Sequence, residues 1–160
     1  MIGFITRLFA RGEPALSEAR LRDAVAIAAL HGASFHRGWS DGEIERLLID
    51  RSVLAHRATV GRSLVGFILS RLVEGEAEIL SVAVAPARRG KGLSRRMLDL
   101  HLRRLAGLGA RAVFLEVDAD NVPARRLYAH AGFREVGRRE AYYQDRPGRS
   151  AAALVLRRDL

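Results

Sequence analysis

The sequence predicts a mixed α/β domain, and three observations predict it. In residues 78–105 an apolar run of strand length, 79–85, is followed by the basic loop Arg88-Arg89-Gly90-Lys91-Gly92 and then by Leu93, Met97, Leu98, Leu102 and Leu105 at helical spacing. Upstream, runs 53–60 and 63–72 join through Gly61 and lead by Glu74-Gly75-Glu76 into that strand, which makes an antiparallel meander. Downstream, 112–117 is another buried strand, and the helix between it and 79–85 makes the two strands parallel.

In chain order, residues 1–14 begin with Ile2, Phe4, Ile5, Leu8 and Phe9 beside Arg7 and Arg11, then reach a hinge at Gly12-Glu13-Pro14. They are expected to be an amino-terminal extension, and 15–160 one domain. The first eleven residues have the pattern of a short amphipathic helix or of a loose terminus. Residues 15–20 fit a strand or a helix start. Leu21, Ala24, Val25 and Ala28 share a helical face that runs to about Ala33, with Asp23 or Ser17 as its cap. Ser40 followed by Glu43 forms a capping box for a second helix that turns Ile44, Leu47 and Leu48 inward. Pro86 ends the 79–85 strand because it has no N–H for a ladder. Glycines 107 and 109 stop the central helix. Asn121 can cap a short helix with Pro123 in its first turn and Leu127 and Tyr128 inward. After Gly132, residues 133–139 and 151–157 return as strands, joined by a loop with Pro147-Gly148.

Composition narrows the classes. The 160 residues are 49% hydrophobic, which suits one globular domain with a sizeable core. No apolar run approaches the roughly 18 residues of a membrane span. There is no cysteine, so neither a disulfide nor a thiolate metal site can form, and a cytoplasmic location is expected. The net charge of +9 suits a polyanionic partner: a nucleic acid, an acidic membrane or a phosphorylated cofactor. An arginine-rich proteome would raise the charge equally well. No RNA-binding aromatic pattern, zinc spacing or helix-turn-helix accompanies the charge, so no stable nucleic-acid complex is expected.

The loop offers chemistry. A helix start presents unpaired N–H groups and a partial positive charge, and glycines let an anion reach the backbone. It is neither a P-loop nor a dinucleotide fingerprint, because only Lys91 separates the two glycines and Arg95 stands where a third glycine would be. The five histidines show no ligand spacing with a carboxylate, so no metal is expected. Ser81 and Ser94 have no evident His-Asp partners for hydrolase chemistry. Glu116 lies in an apolar strand, as a satisfied structural carboxylate or as a base with a raised pKa. Tyr128 follows on a short helix, as a core residue or as a proton donor.

Taken together these residues resemble the GNAT family of acetyl-CoA-dependent N-acetyltransferases. Arg89-Gly90-Lys91-Gly92-Leu93-Ser94 is similar to its pyrophosphate motif, with Ser94 where the motif ends in glycine or alanine. Asn121, Ala124, Leu127-Tyr128 and Gly132-Phe133 are similar to its second cofactor motif. Within the family the likeness is nearest to RimI-type ribosomal-protein-alanine N-acetyltransferases, through 81–84, Leu115-Glu116-Val117, Asn121, Leu127-Tyr128 and Tyr142-Tyr143. Arg88 departs from the aromatic residue often found there.

The resemblance implies a mostly antiparallel sheet with helices on both faces, splayed between two central parallel strands. It implies acetyl-CoA as cosubstrate, its pantetheine held by Val82, Ala83 and Val84 and by Asn121. Its pyrophosphate would lie on Arg89, Gly90, Lys91, Gly92, Leu93, Ser94 and Arg95. Glu116 would be the general base and Tyr128 the general acid. Trp39, Tyr142 and Tyr143 would wall a slot for a protein or peptide amino terminus, that of a ribosomal protein with alanine first. A small amine or a lysine is the alternative acceptor.

Overall fold

In the computed structural model, which describes residues 12–140 and 152–160, seven strands form one sheet. They are β1 (Ala15–Glu18), β2 (Val53–Val60), β3 (Ser63–Val73), β4 (Glu76–Val84), β5 (Ala112–Asp118), β6 (Arg134–Arg139) and β7 (Ala153–Asp159). Their spatial order is β1-β2-β3-β4-β5-β7-β6. Only the central β4–β5 pair is parallel; the other pairs are antiparallel. The helices are α1 (Ala24–Ser34), α2 (Asp41–Ile49), α3 (Leu93–Gly107) and α4 (Val122–His130).

The helices cover both faces of the sheet, which is why β3 reads as a nearly unbroken apolar run. On one face α3 and Tyr128 of α4 pack on Ile68 of β3, on Ile79 and Val84 of β4, and on Val113, Leu115 and Val117 of β5. On the other, Ala24, Ile27 and Ala28 of α1 and Ile44 of α2 pack on Phe67, Leu69 and Ala83. The α3 stripe of Leu93, Met97, Leu98, Leu102 and Leu105 is buried throughout. Its one polar member, His101, is satisfied inside the core: its Nδ1 lies 2.7 Å from His56 Nδ1 and its Nε2 2.7 Å from Ser70 Oγ. Burial pushes His101 down to about 3 and lowers His56 too, so both rings are neutral near pH 7.

The site depends on how β4 and β5 part. They pair only at Glu76↔Ala112, Ala77↔Val113 and Glu78↔Phe114. In the β3–β4 ladder the register shifts: Ser70 faces Ile79 while Leu69 faces Ser81, which leaves Leu80 as an extra residue on β4. Such a bulge bends and twists its strand, and β4 leaves β5 at that point.

The amino-terminal helix differs from expectation. Leu21 is 52% and Val25 61% exposed, while the buried face is Ala24, Ile27, Ala28 and His31. Leu21–Asp23 is a 3₁₀ turn and the α-helix starts only at Ala24, so Leu21 is out of phase with the stripe. Asp23 stands at the N-cap position without capping α1. Its carboxylate accepts from the Arg20 N–H (2.7 Å) and pairs with Arg57. Ser17 lies in β1, and its hydroxyl accepts from Arg57. The capping box of α2 is present, with Ser40 and Glu43 bonded reciprocally at 2.7 and 3.2 Å. The closing strand begins at Ala153 and continues to Asp159. The amphipathic stretch 1–11 and the pair Tyr142-Tyr143 lie outside the described residues.

Candidate functional site

The gap between β4 and β5 opens into a cleft of about 350 Å³. Residues 79–82 of β4 and 115–118 of β5 form its walls, with Asn121, Ala124 and Tyr128 on one side and residues 34–36 at the end of α1 on the other. Past Glu78 and Phe114 the facing edges of the two strands have no ladder partner among the described strands. The cleft is therefore lined by backbone groups able to bond an extended, amide-bearing chain.

The glycine loop sits where β4 gives way to α3. Gly90 and Gly92 have φ of +73° and +80°, in the left-handed region that favours glycine. A Cβ built on either would meet no atom of the described residues within 4 Å, so the loop backbone is open to a ligand on that side. Gly92 occupies the N-cap position of α3 and no side chain caps that helix among the described residues. The first intrahelical bond runs from the Arg96 N–H to the Gly92 carbonyl (3.1 Å), which leaves the amides of Leu93, Ser94 and Arg95 available to an anion. Lys91 and Arg95 are exposed beside them. Arg89 instead ties the loop back to the strand, donating from Nε to the Val84 carbonyl (3.0 Å). Arg96, just behind, anchors the chain at Glu13 and Pro14.

Asn121 opens α4 by accepting the Ala124 N–H at 3.2 Å through Oδ1. Its oxygen is engaged, and among the described residues its two amide hydrogens have no partner, which leaves them for a ligand. Tyr128 is 7% exposed, with its ring edge-on to Phe133 at 5.6 Å. Burial pushes its phenol up to about 12. Among the described residues no group hydrogen-bonds its hydroxyl, and the residue lines the cleft.

Glu116 enters from the other face of the sheet. Leu115 and Val117 point toward α3, so Glu116 points toward α1 and α2. Its side chain is 27% exposed, and Oε1 lies 3.2 Å from the Arg139 guanidinium. On this side the cleft is bounded by Phe35 and His36 rather than by Trp39. Trp39 lines an adjoining cavity of about 420 Å³ that meets the cleft at Leu80. It is fixed there by His31, which stacks on the indole at 4.4 Å and accepts the Trp39 backbone N–H at 3.0 Å through Nδ1. Burial lowers the His31 pKa, which favours the neutral ring this bond requires.

The structure thus brings Val82, Glu116, Asn121 and Tyr128 to one cleft and sets the glycine loop beside the strand that walls it. Sequence reasoning passed over the Arg139 partner of Glu116 and the part played by His36, and it weighed Ser81 as a hydrolase nucleophile and as part of the resemblance, not as a cleft residue with a buried hydroxyl. Only a fold-level pairing of β6 and β7 beside β5 would have revealed the first. Among the described residues no cluster of potential ligands has the makings of a metal site, and no helix is long and apolar enough to cross a membrane.

Comparison with known proteins points the same way. The family described as Acetyltransferase (GNAT) matches residues 24–133. Over 102 residues the chain is 31% identical to the [ribosomal protein bS18]-alanine N-acetyltransferase of Escherichia coli (strain K12), covering 64% of this chain and 69% of that protein. Over 106 residues it is 38% identical to the N-alpha-acetyltransferase RimI of Mycobacterium tuberculosis, covering 64% of this chain and 63% of that one. It also matches an uncharacterised Mycobacterium leprae protein at 43% identity over 84 residues, 52% of this chain but only 22% of that longer one. The crystal structure of the ribosomal-protein-S18-alanine N-acetyltransferase from Escherichia coli superposes with a TM-score of 0.84, covering 92% of this chain and 94% of that one. At 24% identity, that likeness speaks for the fold.

Proposed function

Because the chain belongs to the acetyltransferase (GNAT) family, we propose that it transfers an acetyl group from acetyl-CoA to the α-amine at a protein amino terminus, in the cytoplasm. The observation that carries this reading is the two-sided cleft. Two parallel strands pair for three residues and then part, with a glycine-flanked helix start that no described side chain caps on one face and a carboxylate on the other.

The residues present fit acetyl-CoA. The amides of 93–95 and the open backbone at Gly90 and Gly92 suit a pyrophosphate, with Lys91 and Arg95 as flanking charges. Arg89 contributes by holding the loop to β4. The β5-facing edge of β4 at Val82, Ala83 and Val84, which has no ladder partner among the described strands although Arg89 already takes the Val84 carbonyl, suits the pantetheine amides, and Asn121 offers its NH₂. The cosubstrate supplies the activated acetyl thioester. Glu116 accepts a proton from the amine, and a backbone N–H near Val82 to Val84 stabilises the oxyanion. Tyr128 lines the cleft into which the leaving sulfur would be released. Its phenol, at about 12, is a weaker acid than a thiol of about 8.5, so it acts by donating a hydrogen bond to the developing thiolate and does not end as tyrosinate.

That role sets a pH expectation. Tyr128→Phe lowers kcat about tenfold, the worth of one hydrogen bond to a forming charge, with acetyl-CoA affinity unchanged. Because burial raises the phenol, the wild-type rate shows no fall from tyrosine ionisation below about pH 11. A kcat–pH profile of both proteins checks this. Wild-type turnover in the variant would assign Tyr128 to the core alone.

The acceptor we propose is an amino-terminal alanine or another small residue, as in a ribosomal protein, the substrate named for the Escherichia coli relative. Phe35 and His36 border the cleft, and Trp39 stands beyond Leu80, so a short first residue suits the space. Tyr142 and Tyr143 remain proposed for the far wall. The amines differ as well: an α-amine of pKa about 8 is partly neutral at pH 7, and a lysine of about 10.4 is almost wholly charged. A peptide with a free terminal alanine and no lysine should be acetylated with kcat/KM at least about tenfold above a terminally blocked peptide with one internal lysine. Equal rates, or preference for the lysine peptide, would remove the amino-terminal assignment and favour a small-amine or lysine acceptor.

A further inference from the structure

Among the described residues, Ser81 Oγ is the one side-chain polar atom closed to solvent that has no hydrogen-bond partner, and Ser81 is 7% exposed. Buried polar groups are almost always bonded, and an orphan in a binding cleft marks a bond left for something else. Ser81 lines the cleft directly after the Leu80 bulge.

Its direction follows from strand alternation. Val82 and Val84 pack on the α3 face, and Ala83 packs on the α1–α2 face. Ser81 therefore shares the α1–α2 face with Ala83. Glu116 points to that same face from β5, because Leu115 and Val117 take the other. Counting on from Glu78↔Phe114 and setting the bulged Leu80 aside, Ser81 stands across the gap from Glu116. The glycine loop leads into α3 and Tyr128 packs in the α3 cluster, so the serine and the glutamate lie on the side opposite the groups that suit the cosubstrate.

We propose that Ser81 is an acceptor-binding residue: its Oγ accepts one N–H of the incoming primary amine while Glu116 accepts the other. An amine in attack has one lone pair for the carbonyl carbon and two hydrogens to place. Held by an oxygen from each strand, it has its lone pair directed into the gap between them. One proton passes to the Glu116 carboxylate as the C–N bond forms, and the other stays on nitrogen in the amide product, still facing Ser81. The leaving thiolate carries away the electron pair of the broken C–S bond. This inference rests on the acetyl-transfer reading above. It adds a serine that nothing in the fold requires to be polar.

The test is Ser81→Ala in the full chain, with an alanine-terminated peptide as acceptor. Peptide kcat/KM should fall about tenfold, mainly through KM, while acetyl-CoA Kd stays within about twofold, in line with the loss of one hydrogen bond to the acceptor. Tm without ligand should stay level or rise, because the substitution removes an unsatisfied buried hydroxyl. Unchanged peptide kinetics would overturn the proposal. So would a loss that falls on acetyl-CoA Kd, or a lower Tm showing that the hydroxyl serves the fold. A wild-type chain that binds acetyl-CoA but acetylates no amine would overturn the underlying reading itself. Active wild type with an indistinguishable variant would overturn Ser81 alone.

Discussion

Glu116→Gln is expected to lower kcat/KM for an alanine-terminated peptide by at least about a hundredfold at pH 7, the scale of a lost general base, and to regain part of that loss toward pH 9. Glutamine keeps the shape of the side chain and one acceptor oxygen but takes no proton. At pH 7 the acceptor amine, with a pKa of about 8, still carries its extra proton most of the time. At pH 9 it is mostly neutral and needs less help. The geometry also supplies the competing explanation. Glu116 is 27% exposed and paired with Arg139 at 3.2 Å, so it could serve simply to join β5 to β6 across the intervening strand. Partly exposed pairs of this kind contribute little to stability. A purely structural Glu116 would therefore show a small change in Tm and a rate loss of the same size at every pH. Rate profiles from pH 6 to 9 for both proteins separate the two.

The second large effect concerns the loop. Gly92→Val should weaken acetyl-CoA binding by about a hundredfold or more. Two causes act together. Gly92 sits at φ +80°, where a β-branched residue is strained, so the loop must reshape. Its α-carbon also faces space that no described residue fills, and the new side chain would stand where the proposed pyrophosphate would meet the amides of 93–95. If the loop were an ordinary turn, only the first cause would apply. Tm would fall and acetyl-CoA affinity would remain. Isothermal titration, with Tm measured in parallel, reads both quantities on the same protein.

The glycine loop was legible because everything it needs is local. The end of β4, the two glycines and the apolar stripe of α3 are consecutive, and each follows from short-range sterics or helical spacing. The parting of β4 from β5 was implied by family resemblance, but its cause was not legible. The bulge at Leu80 is a mismatch between two strands, and neither strand records it alone. The inward face of α1 was misplaced for two reasons. A 3₁₀ turn shifts Leu21 out of phase, and the buried stripe includes His31, which counts as polar in a periodicity but here holds Trp39. Glu116 stood out as a charge in an apolar strand, but its Arg139 partner depends on sheet order. Ser81 shows the same limit. A serine in a strand is unremarkable until the fold shows that no group of the described residues reaches its hydroxyl.

The most direct measurement for the central claim, that the parted strands and their glycine loop hold acetyl-CoA, is a thermal-shift comparison of the full chain with acetyl-CoA, free CoA and short RNA or DNA duplexes. Any ligand specific to the native state stabilises it, by about 2.7 kcal/mol at a hundredfold excess over Kd. For a chain of this size that corresponds to a rise in Tm of roughly 5–10 °C. Acetyl-CoA and CoA share the pyrophosphate that the loop would bind, so both should give a rise of that order and the nucleic acids none. A large shift with RNA or DNA and none with either coenzyme form would mean that the net charge of +9 serves a nucleic acid, and would contradict the assignment of the cleft.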